Sequence, residues 1–394
     1  MSTTPATGRT NVAPAVDLAE GVRDRSGYLR PLESVRGIAI LLVFLFHAWG
    51  ISGLQLAGAP APGLSFIVAG NTGVTLFFVL SGFLLALPWL KHLHQRGRPR
   101  PSVAQYLKAR ALRILPLYYS ALLLTWLVTG NSATIVQAAT FQFVGFDAFP
   151  YSVVWWTLAT EIQFYLLLPL LMSLWLGDRR SRLLGAALFL GWLYAYVTLV
   201  LEADAGAAQQ SFLYTKSIFA RLPAFLLGIA AAAIYLRACR WQPVVRQLSA
   251  WRHGGLLLCL AILLLLERVL ARVATLGDQQ AELHWHLHHT WEAALWALFI
   301  LCLLLCRLPG LGLLVNRSLA LTGKLSYSLY LVHVPVLFYL LYPIRERLGA
   351  EVFPSSWWLY GVVTAALLLS LLLSWISYTI IEKPFLQLKR RIPL

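Results

Sequence analysis

The feature that most restricts this 394-residue chain is the recurrence of apolar stretches of similar length. Ten can be marked, at 35–54, 73–90, 112–129, 153–176, 183–201, 217–236, 254–271, 291–306, 325–342 and 358–381. At about 1.5 Å of rise per helical residue, each is long enough to cross roughly 30 Å of hydrocarbon. Charged residues make up 12% of the chain and hydrophobic ones 59%, whereas a soluble domain carries roughly 25% charge. The expected fold is an all-α integral membrane protein, a bundle of about ten transmembrane helices. The stretch 64–70 is apolar but too short to span, and 135–152 reads as a re-entrant or interfacial segment.

Where the charge sits decides what the net charge of +16 means. Lys and Arg gather in alternate loops: Lys91, Arg96, Arg98, Arg100 and Lys108; Arg179, Arg180 and Arg182; Arg237, Arg240, Arg246 and Arg252; Arg307 and Arg317; then Lys383, Lys389, Arg390 and Arg391. The opposite loops are nearly bare. Residues 55–72 carry no charge, 130–152 carry only Asp147, and 202–216 hold Glu202 and Asp204 against Lys216. By the positive-inside rule both termini are cytoplasmic. The basic balance is thus a topology signal, and nucleic acid is not an expected partner. Residues 1–30 read as a disordered cytoplasmic tail without the apolar core of a cleavable signal. A membrane domain then covers 31–386, with a basic cytoplasmic tail over 387–394. The four cysteines, Cys239, Cys259, Cys302 and Cys306, have no CxxC or zinc-like spacing and are expected as free thiols.

An ionisable side chain inside hydrocarbon costs several kcal/mol, so each one marks a candidate site. Those in or beside spans are Arg36, His47, Glu161, Arg221, Lys324 and His333; Glu267, Arg268 and Arg272 lie near a span end and can snorkel. Arg36 and His47 are eleven positions apart, three helical turns plus roughly 20°, so they share a face about 16 Å apart along the axis. That suits a cationic anchor for a phosphorylated carrier at the entrance and a reactive imidazole deeper in. The plainer alternative, a snorkelling Arg and an unrelated interior His, is left open by the spacing alone.

The run LESVRGIAILLVFLFH (32–47) resembles the opening signature of the acyltransferase-3 family, whose hallmark is an arginine, ten residues, then a histidine. Glu33 matches the acidic position before the arginine. Further similar blocks follow in family order: GVTLFFVLSGFLL from Gly73, with Ser81 and Gly82; RALRILP from Arg110 to Pro116, with Arg113; WTLATEIQFY from Trp156 to Tyr165; RLPAFLLG from Arg221 to Gly228; SYSLYLVHVP from Ser326 to Pro335, with Tyr330 and His333; and Glu382-Lys383-Pro384. The fourth-span block departs from the pattern, reading TLATEI where many members have serine and a second acidic residue. The chain also ends after the tenth span, without the esterase-like domain some members carry, so the reaction is expected to be confined to the membrane domain.

The resemblance implies an O-acyltransferase of the bacterial inner membrane, moving an acyl group, acetyl foremost, from cytoplasmic acyl-CoA to a hydroxyl of a sugar-containing acceptor. Acyl-CoA is the donor substrate, and no permanently bound cofactor is expected. The transfer needs a base, stabilisation of the oxyanion and a grip on coenzyme A. His47 is implied as the base, an acyl-histidine intermediate being the other route, and histidine's unperturbed pKa near 6.5 suits it. Arg36, Arg110 and Arg113 are the expected phosphate contacts, because a guanidinium can form two parallel bonds to phosphate. Glu161 is expected to take part in catalysis by orienting His47, binding a sugar hydroxyl or pairing with Arg221. Glu33, Ser81, Gly82, Trp156, Tyr165, Arg221, Tyr330 and His333 are the expected substrate contacts. For Ser81 and Gly82, simple helix packing is an equal alternative.

The segment HWHLHH (284–289) is read as part of a short external loop and not as a metal site. A transporter of a small polar metabolite would use the same buried charges, but no internal repeat and no pair of broken helices accompany them. A glycan polymerase would call for a large external loop, which the chain lacks.

Overall fold

The computed structural model describes residues 30–56, 58–94, 99–201, 212–240, 252–275, 277–306, 308–349 and 357–390. The tail 1–30 lies outside them but for Arg30, as does 391–394 of the basic tail. Each of the ten apolar stretches forms a long helix: α1 (Arg30–Ser52), α2 (Thr72–His94), α3 (Val103–Thr129), α4 (Trp155–Leu176), α5 (Arg179–Tyr196), α6 (Ile218–Ala238), α7 (Arg252–Ala274), α8 (Gly277–Leu305), α9 (Ser326–Leu348) and α10 (Trp357–Ser377). Nine of these are long and apolar enough to cross a membrane. The tenth, α7, is 23 residues long and carries Glu267, Arg268 and Arg272 in its C-terminal half. There is no strand among the described residues, as lipid demands of a chain whose backbone groups must be satisfied internally. The protein is an all-α, multi-pass membrane protein.

The shorter apolar pieces behave differently. Ser65–Val68 forms a single helical turn, too short to span as expected. Within 135–152, only a helix over Ser132–Ala139 and a turn of 3-10 helix over Ser152–Val154 form. The first is pinned to α3 by the hydroxyls of Tyr118 and Tyr119, which donate to the carbonyls of Ala138 (2.8 Å) and Ala139 (3.0 Å). Helix ends follow local chemistry. The Asp178 carboxylate accepts from Ser181 N at 2.8 Å at the start of α5, and Gly130 closes α3 with φ +67°.

Two close crossings organise the interior. At the contact of α2 with α6, a Cβ on Gly82 would overlap the Phe225 carbonyl, and one on Gly228 would overlap the Val79 carbonyl. Only glycine on both sides lets these backbones meet, the small-residue logic of membrane packing. Phe78 and Phe164 stack on Phe225 beside the crossing, at 4.7 and 4.0 Å between ring centroids. The second crossing joins α1 to the short helix Arg317–Lys324, where Gly37 faces the Leu319 carbonyl and Gly323 the Glu33 carbonyl. After α10 the chain passes through a π-helical turn, Tyr378–Glu382, into a helix over Lys383–Arg390 that packs on α3. The expected boundary between domain and tail at 386/387 falls inside this helix.

Candidate active site

The site is built on α1 and α9, which run parallel and touch through polar groups at three levels. At one end Arg36 Nη2 donates to Ser326 Oγ at 3.2 Å. In the middle His47 Nδ1 lies 3.1 Å from His333 Nε2, the rings inclined at 66°. At the far end Arg345 Nη1 donates to the Ile51 carbonyl at 3.2 Å. On each helix two of the three positions follow from helical register, 36 and 47 sharing a side of α1 and 326 and 333 a side of α9, whereas Arg345, about 120° round from 333, reaches the Ile51 carbonyl through its long side chain.

Around the Arg36 end the other helices deliver a dense polar cluster. The Glu161 carboxylate on α4 accepts from Ser81 Oγ (3.0 Å) on α2 and from the Tyr165 hydroxyl (2.6 Å) one turn further along its own helix. Arg113, Glu33, Glu161 and Tyr165 all lie within electrostatic reach of Arg36, and Arg110 and Arg113 within reach of Tyr165. Arg110 stacks its guanidinium 5.9 Å from the Tyr106 ring centroid, while its buried Nε has no hydrogen-bond partner among the described residues. The cluster is closed by Glu382, buried and hydrogen-bonded to Ser328, within reach of Arg113 and Arg36. Arg36, Arg110, Arg113, Glu33, Ser81, Glu161 and Tyr165 are thus brought together. Gly82 stands in the α2–α6 crossing instead, with the Phe225 carbonyl where a side chain would be.

The middle level is aromatic and hydroxylic. His333 is fully buried, 0% exposed, while His47 is partly open. Tyr330 abuts His333, ring centroids 5.8 Å apart, and its hydroxyl shares a 2.8 Å hydrogen bond with Thr157 of α4. Trp156, the neighbour of Thr157, holds the Arg221 guanidinium 5.7 Å from its ring centroid and the Lys216 ammonium at 5.9 Å; Lys216 also lies 5.2 Å from Phe143. Of the three expectations for Glu161, orientation of His47 is not what is seen. His47 is held by Val43 and His333, and Glu161 bonds Ser81 and Tyr165.

The segment 284–289 corrects another expectation, because α8 runs straight through it as helix, with no loop there. Side chains 277–287 lie outside the described residues, but His289 is 1% exposed and Glu292, one turn on, is 0% exposed. Beside them Tyr196 and Thr290 share a 3.1 Å hydrogen bond, and Arg221 is within electrostatic reach of Tyr196. Neither Glu292, Glu382 nor Arg345 was singled out for the site from sequence. Glu382 entered the sequence reading only within the Glu382-Lys383-Pro384 block, and for Glu292 and Arg345 the signal was a lone charge at the edge of an apolar run, which span-end snorkelling mimics. Cys259 and Cys302 are buried free thiols, Cys306 is a partly buried one, and Cys239 is exposed. No group of three His, Cys, Asp or Glu side chains among the described residues is placed to hold a metal.

The fold and site define an all-α membrane bundle that holds a histidine pair and, at another level, an arginine-rich cluster, and sequence comparison supplies its family. The profile of an acyltransferase domain matches residues 31–378, and the chain belongs to this acyltransferase-3 family. The O-acetyltransferase OatA of Staphylococcus aureus is 24% identical over 389 residues, covering 91% of this chain and 57% of that protein. Nodulation protein 10 of Rhizobium leguminosarum bv. viciae is 29% identical over 191 residues, covering 41% and 49% respectively. The chain therefore spans about half the length of the curated relatives it matches. No solved structure is detectably similar.

Proposed function

We propose that this protein is an acyl-CoA-dependent O-acyltransferase, acetyl-CoA the foremost donor, acting on a hydroxyl of a sugar-containing acceptor. The observation that carries the reading is the layout of α1. Arg36 stands in a cluster of cations and hydrogen-bonding groups, and His47, three turns deeper, stands in an aromatic, uncharged one. A donor with a phosphorylated head and a long uncharged pantetheine arm matches that layout from end to end. Arg36, Arg110 and Arg113 hold the phosphates, and the unbonded Arg110 Nε gives such a group a ready donor. Glu161, tied to Ser81 and Tyr165, borders these cations within electrostatic reach of Arg36. The charge pattern of the loops supports cytoplasmic termini and a cytoplasmic arginine end, and the reading takes the membrane to be a bacterial inner membrane. The name of the staphylococcal relative, an O-acetyltransferase, supports the same reaction class.

In the reaction, the acceptor hydroxyl gives its proton to His47 as its oxygen bonds to the thioester carbonyl carbon. The carbon–sulfur bond then breaks, and the thiolate of coenzyme A recovers the proton from His47. Tyr330 lies next to the histidine pair, and through its bond to Thr157 it leads to Trp156 and Arg221, which form the acceptor's side of the site. The test is thiol release from acetyl-CoA by the purified protein in detergent, with candidate glycans added, beside His47→Ala. Acceptor-stimulated release should fall by about 100-fold or more in the variant, the usual contribution of a positioned general base. Equal release by a folded His47→Ala protein would remove His47 from the chemistry.

A further inference from the structure

Each histidine nitrogen in the central pair can be assigned from what it faces. His333 Nδ1 lies 3.0 Å from the Leu329 carbonyl oxygen and 2.9 Å from that of Tyr330. Both are acceptors only, so Nδ1 carries a hydrogen. His47 Nδ1 lies 2.9 Å from the Val43 carbonyl oxygen and carries a hydrogen for the same reason. The rings meet through His47 Nδ1 and His333 Nε2 at 3.1 Å. Two N–H groups pointing at each other across that distance would repel, so His333 Nε2 must present its lone pair. His47 Nε2 is left over, bonded to no described residue, on the partly open side of the ring.

We propose that His333 is a positioning residue for the acyl-transfer base: as the neutral Nδ1–H tautomer it accepts from His47 Nδ1, leaving His47 Nε2 to take and return the acceptor's proton. The proposal rests on the acyl-transfer reading and departs from the expectation that His333 touches substrate, since that side chain is fully buried. The geometry is over-determined. Each ring is tied to its own helix by backbone carbonyls one turn back, and the register of α1 on α9 is set above and below by Arg36–Ser326 and Ile51–Arg345. A carboxylate in the place of His333 would fix the same tautomer but would bring a charge into an aromatic layer of Phe44, Phe46 and Tyr330. A neutral imidazole orients the base without that desolvation cost. As His47 takes up the proton, its bond to His333 becomes charge-assisted and strengthens, so the contribution appears in the chemical step and not in donor binding.

Two measurements test this on the full-length protein in detergent. Nitrogen-15 NMR of ring-labelled histidine, without substrate, should show His47 protonated at Nδ1 and bare at Nε2, and His333 protonated at Nδ1 alone. Kinetically, His333→Phe should lower kcat by about 10–100-fold, the worth of a hydrogen bond to a charged group, with KM for acetyl-CoA unchanged. His333→Gln, whose amide oxygen can stand where Nε2 stood, should recover most of that loss. A wild-type spectrum with His47 Nδ1 bare, a folded His333→Phe protein with normal kcat, or a Gln variant as impaired as the Phe variant would each overturn the proposal. The tautomers are read without turnover, so their failure is distinct from an absence of thiol release in the wild type, which counts against acyl transfer itself.

Discussion

The Arg36 and His47 levels of the α1–α9 seam are built on opposite principles. At the Arg36 end, three arginines and three carboxylates, Glu33, Glu161 and Glu382, crowd one region and are linked by hydroxyls of Ser81, Tyr165, Ser326 and Ser328. At the His47 level, aromatic rings, hydroxyls and an imidazole pair border the reactive nitrogen; Lys216 and Arg221 lie against Trp156, and Arg345 is engaged by the Ile51 carbonyl one turn further along α1. The difference separates two tasks. Holding a polyanion calls for charges that are themselves paired well enough to survive in a membrane protein. Moving a proton calls for a base whose surroundings do not already neutralise or saturate it. One helix serves both because three turns of α-helix span the distance between them.

That contrast can be broken experimentally. The largest effect is expected from Arg110→Ala combined with Arg113→Ala. KM for acetyl-CoA should rise about 100-fold or more, from loss of charge-assisted bonds, with kcat little changed. The same variant should match the wild type when the donor is an acetyl-pantetheine thioester lacking the nucleotide. A variant equally impaired with both donors would mean that the two ends are one functional unit. A smaller effect is expected from Tyr165→Phe, which takes one of two described donors from Glu161. A rise of about tenfold in KM for acetyl-CoA with unchanged kcat would keep Glu161 at the donor end, whereas a fall in kcat alone would move it to the chemistry. The smallest functional change is expected from Gly82→Ala. It should destabilise the protein by about 1–3 kcal/mol through the α2–α6 crossing, seen as an earlier thermal transition in detergent. The surviving folded fraction should show normal KM, and a selective loss of substrate binding would return Gly82 to the ligand site.

Much of this molecule could be read along the chain. The ten apolar stretches became the ten long helices, since a membrane solvent permits few other ways to satisfy a backbone over such lengths. The same physics made Arg36, His47, Glu161 and Arg221 conspicuous, because charge inside an apolar run is costly wherever the run packs. Helical periodicity alone put Arg36 and His47 on one face.

Partnerships were another matter. Nothing within α4 says that Glu161 meets Ser81 of α2, and Arg221 was as plausible a partner until Trp156 was seen against its guanidinium. Gly82 read equally well as a ligand contact or a packing residue, and the Phe225 carbonyl of a helix more than a hundred residues away decided it. Glu292 and Glu382 had no assigned place in the site along the chain, and the bundle buries both. The histidine pair is the clearest case: each imidazole was legible by itself, but a hydrogen bond between them depends on the register of α1 against α9, 286 residues apart in the chain. Local solvent preference is written residue by residue, so sequence determined which segments enter the membrane and which side chains are anomalous there. Which anomalies offset one another depends on distances between helices, and only the tertiary packing sets those.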